Sequence, residues 1–68
     1  MARLPRVTAR QAAARLRLLG CIFVRQEGSH RIYKNSRNQL VVIPFHGSKI
    51  LHPKTLKSIM KEAGIEKW

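Results

Sequence analysis

The chain contains no aspartate, and its only acids, Glu27, Glu62 and Glu66, stand against 14 lysines and arginines, a formal charge of +11 in 68 residues. That scarcity weighs against two-metal nuclease chemistry, which needs clustered carboxylates. It also weighs against a metal centre, because His30, His46 and His52 share no helix-face spacing and have no Asp or second cysteine to join. Cys21 is the one cysteine, so no intramolecular disulfide and no multi-cysteine cluster can form. Its setting in the run Cys21-Ile22-Phe23-Val24 is that of a small buried thiol. No window approaches the roughly 18 apolar residues of a membrane span, and Met1–Arg6 lacks the apolar stretch of a signal peptide, so the expected compartment is the cytoplasm. Neither a helix-turn-helix nor a zinc-finger signal is present, which ranks DNA binding low.

What is present suits one small domain over residues 1–68. A chain this short buries only about 60% of the surface its unfolded form exposes. The apolar share of 44% is enough for a core. The charge far exceeds the net value of about 2 to 8 that solubility asks of a small domain, so a polyanionic partner is the default expectation: nucleic acid or an acidic protein.

After a short basic arm (residues 1–6) that looks unanchored, Val7-Thr8-Ala9-Arg10-Gln11 reads as a capping box, with Val7 and Ala12 placed as a hydrophobic staple. Ala12, Leu16 and Leu19 then keep helical spacing and Gly20 supplies a stop, predicting a helix over Thr8–Leu19. From Cys21 the pattern changes. Cys21–Gln26, His30–Asn35 and Leu40–Phe45 are short stretches rich in Ile, Val, Phe and Tyr, joined by Glu27-Gly28-Ser29 and by a looser turn over Asn35–Gln39. Two short connections in succession predict an antiparallel meander. A loop over Phe45–Leu51 leads to His52-Pro53, a cap residue followed by proline at the first helical position. Leu56, Ile59, Met60 and Ala63 mark the stripe of a second helix, which Ala63-Gly64-Ile65 closes. The expected fold class is α+β: an αβββα two-layer sandwich with both helices on one face of a three-stranded antiparallel sheet. Strand parity stays open. If Tyr33 faces the helices, His30, Ile32 and Lys34 face out; the reverse turns Arg31, Tyr33 and Asn35 outward.

With metal chemistry disfavoured, the reaction left to a basic, histidine-bearing sheet is RNA cleavage by the ribose 2′-hydroxyl. A base takes its proton, the oxygen attacks the adjacent phosphorus, and an acid protonates the departing 5′ oxygen. Histidine suits either role at neutral pH, and Arg25, Arg31, Lys34 and Lys49 are the cations available to developing phosphorane charge. A Ser29–His30–acid triad is poorly supported, since neighbours on a strand point to opposite faces. On spacing alone a surface or phosphate-contacting role for His30 outranks catalysis. His46 can be a second acid/base, a phosphate contact or a loop residue, His52 is best read as a cap, and Tyr33 is as well explained by the core as by stacking on a base.

Three linked segments change that ranking: Val24-Arg25-Gln26-Glu27-Gly28-Ser29-His30, Val42-Ile43-Pro44-Phe45-His46-Gly47-Ser48-Lys49, and Thr55–Ile65. Together, and in this order, they resemble the HicA-type toxins. The resemblance implies a double-stranded-RNA-binding-like fold and mRNA interferase activity without a metal or other cofactor. It also implies a toxin that is monomeric when free and hetero-oligomeric with a cognate HicB-type antitoxin. It places the catalytic histidine at His30, with Gly28 shaping the turn and Ser29 adjoining the site. Arg25, Ser29, Arg31, Lys34, His46 and Lys49 are then the expected RNA contacts. Two positions depart from the family pattern, Lys54 before Thr55-Leu56 and Ile50 after the loop lysine; both lie outside the histidine motif. The reading of a different class is a non-catalytic module that recognises A-form RNA by shape.

Overall fold

The computed structural model describes residues 5–46 and 49–68. Most of the expected basic arm, along with Gly47 and Ser48 of the expected loop, lies outside these residues.

The capping box forms as the sequence predicts. Gln11 N–H donates to Thr8 Oγ1 at 3.2 Å, and Thr8 N–H donates to Gln11 Oε1 at 2.9 Å. These bonds occupy donors that a helix start leaves without partners, and α1 runs Ala9–Leu18. Its end is a Schellman pair: Gly20 N–H donates to the Arg17 carbonyl at 3.1 Å and Cys21 N–H to that of Leu16 at 2.9 Å. The chain therefore turns away before Leu19 can join the apolar stripe. That stripe is Ala9, Ala12, Ala13 and Leu16, while Leu19 is exposed.

Three strands follow, β1 (Ile22–Glu27), β2 (His30–Lys34) and β3 (Leu40–Pro44), in the antiparallel order β1-β2-β3. Tyr33 sits between Phe23 and Val41, Arg31 between Gln26 and Ile43, and His30 between Glu27 and Pro44. Tyr33, Val41 and Ile43 are buried in the core. Strand alternation then puts His30, Ile32 and Lys34 on the opposite face, which settles the parity. Between Phe23 and Arg25 the register shifts, leaving Val24 as a bulge.

Helix α2 (Pro53–Ala63) starts on His52, whose Nδ1 accepts from Lys54 N–H at 3.1 Å. It buries Leu56, Ile59 and Met60, and it stops where Gly64 takes a left-handed φ of 74°, a conformation costly to any residue with a Cβ. The single core cluster joins both helices to one face of the sheet. Both pack chiefly on β3, and every residue of β1 is exposed. Two contacts escape sequence patterning. Leu51 N–H donates to the Val7 carbonyl at 2.7 Å and Thr8 bridges Ile50, tying together the approaches to the two helices. Asn35 Nδ2 reaches the Glu62 carbonyl at 3.0 Å while its Oδ1 accepts from Arg37 and Gln39 N–H, fastening the β2–β3 turn to the end of α2.

In so small a domain a single cap matters. Thr8→Ala should lower unfolding stability by about 1 kcal/mol, which for this length shifts the melting midpoint by roughly 4–8 °C. A thermal melt unchanged by the substitution would show that the capping box contributes nothing.

Candidate active site

The β1–β2 hairpin is closed by the pair Glu27 and His30, leaving Gly28 and Ser29 as a two-residue loop. Gly28 has a φ of 58° and Ser29 does not enter the positive region, the pattern of a type II′ turn with glycine at its first central position. Gln26 Nε2 donates to the Gly28 carbonyl at 3.0 Å. On the other side, Phe45 N–H donates to the Ser29 carbonyl at 2.6 Å, so the hairpin tip is laced to the end of β3. His30 is thus the first residue of β2, exposed, on a backbone held from both neighbouring strands.

Charge around it is organised by register. On His30's face, Arg25 stands opposite Ile32, and its Nε is bonded to Glu27 Oε2, with both side chains more than half exposed. Such an exposed pair adds little stability. Its local effect is to hold a carboxylate and a guanidinium beside the histidine. Lys34 shares the face four residues along β2, roughly 13 Å away by strand rise. Ile32 lies between them, buried yet outside the core cluster, with Arg25 and Val42 as its register neighbours.

Beside the end of β3 a cleft of about 230 Å³ is lined by Pro44, His46, Lys49, His52 and Thr55. Because Pro44 is the register partner of His30, this cleft adjoins the histidine strand and brings His46 and Lys49 near it. Arg31 is placed differently. It faces the helices, half-buried, with its guanidinium 4.1 Å from the Phe45 ring centroid. Of the expected RNA contacts, Arg25 and Ser29 therefore lie beside His30, Lys34 shares its face farther along β2, His46 and Lys49 gather in the adjoining cleft, and Arg31 stands on the other face. The proximity of Glu27 to His30 as a cross-strand partner is the feature spacing alone left unassigned, although a two-residue hairpin implies it.

The site's chemistry is that of a histidine, a carboxylate and several cations on an open surface. Among the described residues there is no group of three or more His, Cys or Glu arranged to hold a metal ion. Cys21 lies away from His30, buried at the start of β1, and that burial pushes its thiol pKa up.

A family model described as the HicA toxin of bacterial toxin-antitoxin matches residues 9–65, from the first residue of α1 to just past the end of α2. The chain belongs to the HicA toxin family. It is therefore a toxin of a toxin-antitoxin system, and the family implies a cognate antitoxin as partner. The search of curated proteins gives no match. The order of α1, β1, β2, β3 and α2 is that of the double-stranded-RNA-binding-like αβββα fold. Among the described residues no helix is long and apolar enough to cross a membrane.

The raised thiol pKa in this HicA-family chain has a direct consequence, since the thiolate is the reactive form. Native protein at pH 7.5 should be alkylated by iodoacetamide at least tenfold more slowly than the same protein in denaturant. Equal rates would show that Cys21 is open to solvent.

Proposed function

We propose that this HicA-family toxin is an endoribonuclease that cleaves mRNA in the cytoplasm by metal-free transesterification, so halting translation and growth, with His30 as the general acid/base. The position of His30 carries the reading. It is exposed, fixed at the first residue of β2 by bonds on both sides of its hairpin, and set on the sheet face that the helices leave open.

In this reaction His30 removes the proton from a ribose 2′-hydroxyl. The freed oxygen forms a bond to the adjacent phosphorus, the bond from phosphorus to the 5′ oxygen breaks, and a proton delivered to that oxygen completes the exchange. The protein's contribution is placement of the base and of positive charge where the phosphorane gains negative charge. Arg25 supplies that charge beside the histidine, with the Ser29 hydroxyl at the turn, and Lys34, farther along the same face, grips a flanking phosphate. His46 and Lys49 grip the neighbouring backbone at the cleft beside Pro44, and Arg31 meets RNA only where it wraps past the hairpin. The scarcity of carboxylates, three glutamates in all, fits a mechanism in which no cation is held. A cognate HicB-type antitoxin neutralises the toxin by covering the His30 face.

Removing a positioned acid/base group costs about 10²–10⁴ in rate. His30→Ala should lose at least that much RNA cleavage and the accompanying growth arrest, with its circular dichroism unchanged because the side chain is exposed. Cleavage that persists in the folded variant would remove His30 from the mechanism, and RNA bound tightly but left intact by the unsubstituted protein would favour a non-catalytic RNA-binding module.

A further inference from the structure

Part of the hydrophobic surface that the fold leaves uncovered lies at the end of β1 away from the histidine. Helices α1 and α2 lean on β3, so β1, at the edge of the sheet, is bare along its whole length. Within it Ile22 is 62% exposed and Phe23 is 53% exposed. Between the α1 terminus and β1 opens a cleft of about 600 Å³ whose floor includes Tyr33, met edge-on by the Phe23 ring at 5.7 Å between centroids. Its charged lining residues are Arg17 and Arg31, with no acid among them. Exposed apolar residues lining one cleft beside charge mark a surface for another macromolecule.

We propose that this cleft is the grip for the toxin's antitoxin: it takes a segment whose apolar side chains cover Ile22 and Phe23 and whose carboxylates meet Arg17. The inference rests on the toxin reading and adds to it a place of attachment at the opposite end of β1 from His30. Charge complementarity selects the occupant. A second copy would bring another +11 to the same edge, where repulsion opposes pairing, and RNA phosphates gain nothing from the exposed Ile22 and Phe23. The Val24 bulge breaks the regular edge ladder, so side-chain packing in the cleft, rather than an added strand, carries the contact. Attachment here also brings the partner to the histidine. Glu27, at the far end of β1, is the register partner of His30, so a chain lying along β1 passes within roughly 10 Å of it, two strand spacings. Gripping and covering are two parts of one continuous interface.

The test replaces Ile22 and Phe23 together by glutamine, which keeps the net charge, and Ile22→Gln alone serves as a variant whose exposed position spares the fold. The probe is the purified cognate antitoxin. The double variant should bind it at least tenfold more weakly and Ile22→Gln severalfold more weakly, while the free toxins cleave RNA within twofold of the unsubstituted rate. Unchanged antitoxin affinity in both variants overturns the proposal. A fall in RNA cleavage with antitoxin binding intact also overturns it, assigning the patch to RNA, as does a toxin dimer that the double variant dissociates, assigning it to a second copy. Absence of any cleavage by the unsubstituted toxin sinks the ribonuclease reading instead, and the binding comparison still decides the grip.

Discussion

Tyr33 is buried under the helices between Phe23 and Val41, and side chains on a strand alternate. That one constraint orders the rest of the molecule. With Tyr33 inward, Arg31 is inward as well, stacked on Phe45, and His30, Ile32 and Lys34 are outward. A slip of one residue in β2 would bury a histidine and a lysine and expose the tyrosine, so the core that holds the sheet to the helices also holds His30 in the open. The hairpin bonds from Gln26 and Phe45 then limit where its backbone can move.

The second constraint is the shortage of negative charge. Of the three acids, Glu27 is tied to Arg25 and the other two lie in or just after α2. Little within the chain neutralises its cations, so the protein carries a standing attraction for phosphate and for an acidic partner. On the proposed reading the toxin accepts both, one as substrate and one as restraint. The fold separates the chemistry accordingly. The cations proposed to bind phosphate lie with His30 along the outer sheet face and in the cleft beside Pro44, and the cleft lined by Ile22 and Phe23 lies between the β1 edge and the end of α1.

Local signals in the sequence were enough for the elements themselves. Thr8 and Gln11, Gly20, His52-Pro53 and Gly64 act over three or four residues, and each does in the fold what its spacing indicates. Parity was undecided because β2 carries useful residues on both faces, and only burial across strands distinguishes them. Leu19 followed helical spacing yet is exposed, since the Schellman turn ends the helix first. Arg31, expected among the RNA contacts, stands by register on the face opposite His30, and the clamp from Asn35 to Glu62 joins residues 27 apart, beyond any local pattern. For the site, the histidine, its turn and the nearness of Glu27 are local features of the sequence, while the cleft joining His46 to Lys49 belongs to tertiary structure.

The central claim is that His30 performs a metal-free transfer of phosphorus to the ribose 2′ oxygen. The chemical ends of the RNA fragments test it most directly. Cleavage by the purified toxin in the presence of a chelator should leave 2′,3′-cyclic phosphate and 5′-hydroxyl ends, detected by mass spectrometry, and a substrate with a deoxyribose at the scissile position should remain whole. Fragments ending in 3′-hydroxyl and 5′-phosphate, produced from the deoxy substrate or only when a divalent cation is restored, would contradict it.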